Sequence, residues 1–248
     1  MRRSFIAGMA LAAILTGSVA QAADTPAPIA AAVADSHRPA DDTARDTARK
    51  PADMLTLAGV KPGDSVLEIL PGGGYFTRIL SKAVGPKGHI YAAIPDPKSK
   101  FAEPAAAAIA ADPAYPNVSV IQMTAMATSG LPPLDLIWTS QNYHDLHLSV
   151  VHIDVAALDK LWFSLLKPGG TLLVIDHAAL PGSPVVATAD KLHRIDPAVV
   201  RQEVEAAGFK LDGQSDVLRN SADPHTAVVF DPSIRGKTDQ FAFRFRKP

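Results

Sequence analysis

The chain has 248 residues, no cysteine, and a formal net charge of −1 from 24 basic and 25 acidic side chains. The lack of cysteine excludes disulfide bonds and a lipid-modified cysteine. The balanced charge gives no basic footprint for nucleic acid, so we expect a small-molecule partner instead.

The first 22 residues have the features of an export signal. Arg2 and Arg3 give a positive start, residues 5–19 are apolar, and residues 20–22 form the small-x-small pattern of a signal-peptidase site. The apolar run is short for a membrane span of roughly 20 residues and lacks a positive stop-transfer flank, which favours cleavage over anchoring. An ordinary secretory signal is favoured over twin-arginine export. We therefore expect a periplasmic or secreted protein without integral membrane association after cleavage.

The composition divides the rest of the chain into two parts. Residues 23–40 are rich in Ala and Pro with few large apolar side chains, which predicts a flexible segment. Residues 41–248 are predicted to form one domain, beginning with a charged helical arm at residues 41–60. In that arm Pro51 can open a helix and Gly59 can end it.

Strands and helices alternate beyond this arm. Apolar periodicity predicts strands at residues 65–70, 89–94, 118–122, 134–139, 171–176 and 209–211, and helices at residues 76–84, 102–111, 155–166 and 197–207. Residues 241–246 alternate strictly, as in an edge strand or an antiparallel neighbour. This order predicts a doubly wound α/β fold with a mostly parallel sheet, in which ligands bind at the carboxyl ends of the strands.

The first strand leads into three glycines and a helix within residues 66–77 (VLEILPGGGYFT). Glycines allow a tight turn and close approach of a ligand, and the helix N-terminus offers free N–H groups to a carboxylate. Glu68 can accept a hydrogen bond from an ammonium group. Because the loop lacks the spacing of nucleoside triphosphate and dinucleotide sites, it indicates either an amino-acid ligand or a plain tight turn.

This segment resembles motif I of the class I S-adenosylmethionine-dependent methyltransferases. More narrowly, residues 36–248 resemble a family of predicted secreted bacterial methyltransferases. The shared segments are ARD (44–46), RKP (49–51), NYHDL (142–146), KPGG (167–170), DH (176–177), LHRID (192–196) and GKTDQF (236–241). The resemblance implies a Rossmann-like sheet of seven strands with an antiparallel last strand, and S-adenosylmethionine as the cofactor.

The resemblance also implies which residues contact this cofactor: Glu68, Gly72, Gly73, Gly74, Tyr75, Thr77, Asp96, Ser140, Gln141 and Asn142. One of them departs from the usual pattern. The second strand of such folds ordinarily ends in an acid that binds the ribose, but Ile94 stands there and Asp96 is the nearest acid. The third strand also lacks the frequent aspartate for adenine, with Gln122, Thr124 and Met126 in that stretch.

Two acid–histidine pairs follow strands at the predicted binding edge. His144 is a candidate general base oriented by Asp145, and Asp176 with His177 ends the fifth strand. Each pair also has a structural alternative, as a packed histidine or a buried, hydrogen-bonded carboxylate.

Three histidines and two aspartates occur between residues 144 and 154, but their spacing matches no metal motif, so we expect no metal. Arg45, Arg49 and Lys50 form either a solvated helix face or an arm that binds an anionic substrate. His193 and Arg194 lie in a segment that can cap a substrate pocket.

The leading hypothesis is methyl transfer from S-adenosylmethionine to a small molecule by in-line displacement, in which the protein mainly supplies alignment. The alternative is an exported, non-catalytic ligand-binding protein on the same fold. Two points favour this alternative: the cofactor is made in the cytoplasm, and the acid of the second strand is displaced. A nicotinamide-dependent oxidoreductase fits less well, because the dinucleotide glycine spacing is missing.

Overall fold

The computed structural model describes residues 25–95, 104–123 and 130–248. Seven strands lie within these ranges: β1 (Ser65–Ile69), β2 (His89–Ile94), β3 (Val118–Gln122), β4 (Leu134–Ser140), β5 (Leu166–His177), β6 (Lys210–Ser215) and β7 (Gln240–Arg246). They form a single sheet with the order β3-β2-β1-β4-β5-β7-β6.

The sheet is parallel except for β7, which pairs antiparallel with both β5 and β6. This confirms the doubly wound, mostly parallel sheet of seven strands with an antiparallel last strand. The strict alternation of residues 241–246 reflects the antiparallel pairing. It does not mark an edge, because β7 lies between two strands and β6 forms the border.

Nine α-helices accompany these strands in the described ranges: α1 (Ala27–Val33), α2 (Ala40–Thr43), α3 (Asp46–Arg49), α4 (Pro51–Ala58), α5 (Tyr75–Val84), α6 (Pro104–Ala110), α7 (Val155–Leu165), α8 (Val185–Leu192) and α9 (Pro197–Ala206). Two short 3-10 helices, Gly85–Lys87 and His144–His147, are also present there. As predicted, α4 begins at Pro51 and ends at Gly59, which has a left-handed φ of 75°. The helix α8 was not predicted. Among the described helices, none has the length and apolar character needed to cross a membrane.

The structure corrects the predicted flexible segment at residues 23–40. Part of it forms α1, which packs against α5. Ile29 and Ala32 are buried there in the hydrophobic cluster that also contains Leu80. Two apolar side chains spaced three residues apart are sufficient to hold this short helix on the domain, and the high alanine content favours the helical conformation.

Hydrophobic clusters cover both faces of the sheet. Neighbouring residues of one strand point to opposite faces, so Val66 belongs to the first cluster and Leu67 to the second. The first cluster packs under α1, α4, α5 and α6, and the second under α7 and α9. Strands buried on both faces explain why the sequence shows nearly continuous apolar runs there.

The reversal of strand order determines where the binding crevice lies in the sheet. From β1 the chain moves outward through β2 and β3, and then returns to place β4 on the other side of β1. The loops that follow β1 and β4 therefore diverge from neighbouring strands. Such a switch point is where ligands bind in open α/β sheets.

Candidate functional site

The three glycines after β1 serve different purposes. Gly72 and Gly74 have left-handed backbones, with φ of 57° and 76°. A Cβ added at Gly74 would lie 2.0 Å from Ile109 Cδ1, so the packing of α6 requires glycine there. Gly73 has neither constraint, and a Cβ on it would meet nothing within 4 Å. Gly72 also meets nothing within 4 Å, so Gly73 is the one of the three that combines open space with a backbone that other residues can adopt.

That open space is a cavity of about 250 Å³ between the loops that follow β1 and β4, which we call the glycine cavity. It brings together many of the residues that the sequence assigned to the cofactor, along with two arginines of the arm. Its lining consists of Arg45, Arg49, Leu70, Pro71, Gly72, Gly73, Tyr75, Ser140, Gln141, Asn142 and Asp145.

Glu68 lies deeper than the glycine cavity. Only 2% of its surface is exposed, and it lines a nook of about 20 Å³ beside Arg49 and Trp138. A space of this size holds about one water molecule. Because Glu68 does not line the glycine cavity itself, a ligand ammonium in that cavity would reach it only through this nook.

The charged arm is fastened across the glycine loop. The Tyr75 hydroxyl donates to Asp46 Oδ1 at 2.6 Å, and Arg38 donates to both oxygens of the same carboxylate. Burial, together with Asp46, raises the pKa of Tyr75. Asp42 accepts from Arg78 of α5 at 2.9 Å. These bonds join α2 and α3 to the first turn of α5, so Tyr75 has a structural contact in addition to its place in the cavity wall.

Arg49 is the arm residue that enters the cleft. Its guanidinium carbon lies 4.4 Å from the centre of the Tyr75 ring, and Nη2 donates to Ser140 Oγ at 3.2 Å. Burial, followed by the charge of Arg45, lowers the pKa of Arg49 to about 10, so the side chain remains positive at neutral pH. Lys50 does not line the cavity. The arrangement supports the anion-binding interpretation for Arg45 and Arg49.

Asn142 connects the two loops of the crevice. Its Nδ2 donates to the carbonyl oxygens of Ile69 and Leu70, and its Oδ1 accepts from Thr139. Leu70 has a φ of 50°, and Gln141 a φ of 63°. Bulky residues are uncommon in this region and are found where surrounding contacts enforce them, often at binding sites. Asn142 therefore holds the entrance of the glycine loop in addition to lining it.

Gly74, a predicted cofactor contact, lines neither the glycine cavity nor the nook. Two further predicted cofactor contacts do not join this group. Thr77 is fully buried and lines neither the glycine cavity nor the nook, so the structure does not support its assignment. Asp96 lies outside the described residues, as do Thr124 and Met126.

His144 is buried between two carboxylates. Its Nδ1 lies 2.8 Å from Asp176 Oδ1, and its Nε2 lies 3.2 Å from Asp145 Oδ1. Burial opposes protonation, but the charge of Asp176 and the hydrogen bonds to both aspartates outweigh it and raise the pKa of His144 to about 10. Because both ring nitrogens are engaged and the ring is protonated at neutral pH, His144 is a positioning residue here. A general base would need a free nitrogen.

His177 has the opposite character. Its Nδ1 pairs with Thr238 Oγ1 at 2.7 Å. Burial lowers the pKa of His177 to about 4. The negative charge of Asp176 opposes this shift, and the positive charges of His144, Arg194 and Arg49 add to it. The imidazole is thus neutral at pH 7, and neutral imidazole has one nitrogen that accepts.

His177 lines a second cavity of about 320 Å³, which we call the arginine cavity. The arginine and glycine cavities share Arg45, Arg49 and Gln141. The other lining residues come from α3, the end of β5, the segment before β7 and β7 itself: Ala48, His177, Val229, Phe230, Arg235, Gly236 and Gln240. Of these, His177 was predicted at this edge of the sheet.

Arg194 is structural, in contrast to the expectation that it caps a pocket. Its Nη1 and Nη2 donate to the two oxygens of Asp223 at 2.8 and 3.1 Å, and both side chains are fully buried. Further bonds go to the carbonyl oxygens of Ala178 and Ala227. This ion pair ties the end of β5 to the segment that carries Phe230 and Arg235.

Comparison with solved structures identifies the fold. A S-adenosylmethionine-dependent methyltransferase from Aquifex aeolicus is 21% identical, with 84% of this chain and 95% of that protein covered at a TM-score of 0.59. The fold is that of the S-adenosylmethionine-dependent methyltransferases. Fibrillarin from Aeropyrum pernix, solved with natively bound S-adenosyl-L-methionine, is 16% identical over 81% of this chain and 76% of its own, with a TM-score of 0.54.

The methyltransferase fold does not by itself fix the reaction. The cyclase SpnF is 17% identical over 86% of this chain and 84% of its own, with a TM-score of 0.57. No family profile matches the sequence, and no curated protein matches it. Function therefore has to be argued from the site.

Proposed function

We propose that the protein transfers a methyl group from S-adenosylmethionine to a small-molecule acceptor. The observation that carries this proposal is the glycine cavity, which opens between Gly73 and Ser140 at the switch point of the sheet. The methyltransferase fold supports it, because ligands of such sheets bind at this point.

The residues present fit the amino-acid part of this cofactor. A carboxylate in the glycine cavity would face the guanidinium of Arg49 and the N-terminus of α5, which has no side-chain cap at Gly74. Its ammonium group would reach Glu68 through the nook. The open space at Gly73 leaves room for close approach to the backbone. Bound there, S-adenosylmethionine supplies a methyl group carried on a sulfonium.

The arginine cavity is the proposed acceptor site. It adjoins the glycine cavity, and Arg45, Arg49 and Arg235 give it positive charge, while Phe230 and Val229 give it an apolar wall. A small anion with an apolar or aromatic part matches this lining. Neutral His177 can accept a hydrogen bond or a proton from the acceptor, whereas His144 holds Asp145 in place.

The protein's contribution to the transfer is alignment. In-line displacement requires the acceptor atom, the methyl carbon and the leaving sulfur to be collinear, and correct orientation of reactants is worth roughly 7–11 kcal/mol. The two cavities share walls at Arg49 and Gln141, which supports adjacent binding of the two ligands. Gln141 is fixed by its bond to Gln240 at 2.9 Å, which keeps this boundary in register.

One observation favours a second candidate, an exported binding protein without catalysis. Glu68 does not line the glycine cavity and is only 2% exposed, so part of the usual recognition of the cofactor would be indirect. A protein that binds a different anionic metabolite in the arginine cavity would need no cofactor. The two candidates differ in whether S-adenosylmethionine binds at all.

We further propose that residues 1–22 direct export and are removed, leaving a periplasmic or secreted protein that binds neither nucleic acid nor membrane. The positive start and small-residue cleavage pattern support this. Mass spectrometry of the protein from the periplasmic fraction should show a chain beginning at Ala23. An intact Met1 in the membrane fraction would contradict it.

The decisive experiment has two steps on the full chain. Calorimetry should first show micromolar binding of S-adenosylmethionine, about −8 kcal/mol. Incubation of cofactor labelled at its methyl group with the low-molecular-mass fraction of a periplasmic extract should then label a small anion. Absence of binding overturns both the cofactor assignment and the enzyme and supports the non-catalytic candidate, whereas binding without transfer to any fraction keeps the cofactor but contradicts transfer to a small anion.

A further inference from the structure

Three side chains from distant parts of the chain converge beside the two cavities. His144 and Asp145 follow β4, and His193 follows α8. Asp145 Oδ1 lies 3.2 Å from His144 Nε2 and 3.4 Å from His193 Nδ1. One ligand-type atom from each residue falls within 4.8 Å of the others. We call these three residues the His–Asp–His group.

The two separations from Asp145 Oδ1 match those of atoms that share a metal ion. Zinc binds imidazole nitrogen and carboxylate oxygen at about 2.0–2.2 Å with tetrahedral geometry, so its ligand atoms stand about 3.3 Å apart. The two distances to Asp145 Oδ1 bracket this value. Two imidazoles and one carboxylate also form the donor set of zinc sites that keep a fourth position open.

The surroundings of His144 support this assignment. Asp176 accepts from the backbone N–H of His144 at 2.7 Å and pairs with its Nδ1 at 2.8 Å. Metal-bound histidines commonly donate their second ring N–H to a carboxylate, which fixes the tautomer and the orientation of the ring. With Nδ1 held by buried Asp176, Nε2 is the nitrogen that faces Asp145, and an ion bound there would displace the proton that Nε2 carries in the metal-free protein.

His193 is held in an unusual backbone conformation. It caps α8 with a φ of 53°, in the left-handed region, and its ring packs edge-on against Phe230 with centroids 4.9 Å apart. A non-glycine residue in this region costs of order 1–3 kcal/mol and is typical of functional sites. The conformation aims the imidazole at Asp145, 48 positions earlier in the chain, so no local spacing could reveal the group.

We propose that the His–Asp–His group binds a divalent transition metal, with zinc as the ion that its donors suit best. Asp145 also lines the glycine cavity, and Phe230 beside His193 lines the arginine cavity. The open position of the ion would therefore lie where the two cavities meet. An acceptor oxygen bound to this ion becomes more acidic, which is an activation that His144 cannot supply as a base.

Zinc binding can be tested without any cofactor. The full chain, dialysed against chelator and then against chelator-free buffer, is titrated with zinc chloride in a calorimeter. About one ion per chain should bind with micromolar or tighter affinity. Cobalt chloride added to the same protein should give the visible absorption of a tetrahedral site.

His193→Ala should weaken zinc binding at least tenfold, about 1.4 kcal/mol, and remove the cobalt absorption. His152→Ala is the matched control, since His152 is exposed and lies outside the group, and it should bind like the natural chain. Asp145→Asn provides a second variant if His193→Ala does not fold. Binding of well below one ion per chain, or unchanged zinc affinity in both His193→Ala and Asp145→Asn, would overturn the proposal. Because calorimetry with S-adenosylmethionine is a separate titration, failure of the metal site and failure of the cofactor site are distinguishable.

Discussion

His144 and Asp176 are joined twice: the ring Nδ1 lies 2.8 Å from Oδ1, and the backbone N–H donates to Oδ2 at 2.7 Å. The pair bridges the end of β5 and the turn after β4, which is one of the two loops that border the crevice. Removing either side chain would leave the polar group of the other buried without a hydrogen-bond partner. The relationship makes His144 part of the framework that positions Asp145.

The neighbouring histidines His144 and His177 should have very different pKa values. In the metal-free protein His144 has a pKa of about 10 and His177 a pKa of about 4. Nitrogen NMR at pH 7 should therefore show one fully protonated and one neutral imidazole, assigned by His144→Gln and His177→Gln. Since the folded pKa of His144 exceeds its ordinary 6.5, its stabilising effect is complete below pH 6.5 and is lost as pH rises toward 10. Two neutral rings at pH 7 would contradict this account.

A second pH effect is expected beneath α7. Asp159 is fully buried, accepts from the Tyr143 hydroxyl at 2.9 Å, and burial raises its pKa to about 7. A raised carboxyl pKa means that stability falls as pH rises from about 4 to 7. Asp159→Asn removes the ionisable group. The free energy of unfolding of the variant, measured in urea, should therefore rise relative to that of the natural chain between pH 5 and pH 8. A constant difference across this range would refute the assignment.

The ion pair of Arg194 and Asp223 should be important for stability and not for binding. Both side chains are fully buried, so Arg194→Met leaves a buried charge unpaired and should cost about 3–5 kcal/mol of unfolding free energy. Arg219→Met is the control: Arg219 pairs with Asp239 but is 52% exposed, and its loss should cost about 1 kcal/mol or less. Equal losses for the two variants would show that burial does not decide the effect.

Arg49 should contribute to cofactor binding through its charge. Arg49→Gln removes the cation that faces the glycine loop and should weaken S-adenosylmethionine at least tenfold, about 1.4 kcal/mol, in calorimetry. Lys50→Gln changes the charge equally one residue away, outside the cavity, and should leave the affinity within about twofold. If both variants weaken binding alike, the effect of Arg49 is long-range and not a contact.

The parts of the fold that could be predicted are those with strong local signals. The apolar run of β1, the glycines after it and the Pro51 and Gly59 boundaries of α4 all appear at the predicted places. The helix α1 was missed because only Ile29 and Ala32 anchor it, which is too few for a periodic signal. Its burial depends on packing against α5, and a contact between segments so far apart in the chain cannot be predicted from a local sequence pattern.

The site was predictable at the strand ends and not beyond them. Gly73, Ser140 and Asn142 line one cavity because parallel strands end at a common edge. The contributions of His193 and Arg235 depend on how the segments after β5 fold back, which their spacing cannot reveal. Thr77 was assigned from a motif position, but the helical turn points its side chain into the core.

The central claim, that the glycine cavity holds S-adenosylmethionine, is tested most directly by calorimetry on Gly73→Ala. A methyl at Gly73 meets no protein atom within 4 Å, so the variant should fold with unfolding free energy within about 1 kcal/mol of the natural chain. Gly74→Ala, which would collide with Ile109 at 2.0 Å, should be clearly destabilised. The account predicts micromolar binding to the natural chain and at least tenfold weaker binding, about 1.4 kcal/mol, to Gly73→Ala. No binding to the natural chain at about 1 mM cofactor, or equal affinity in the folded variant, would contradict it.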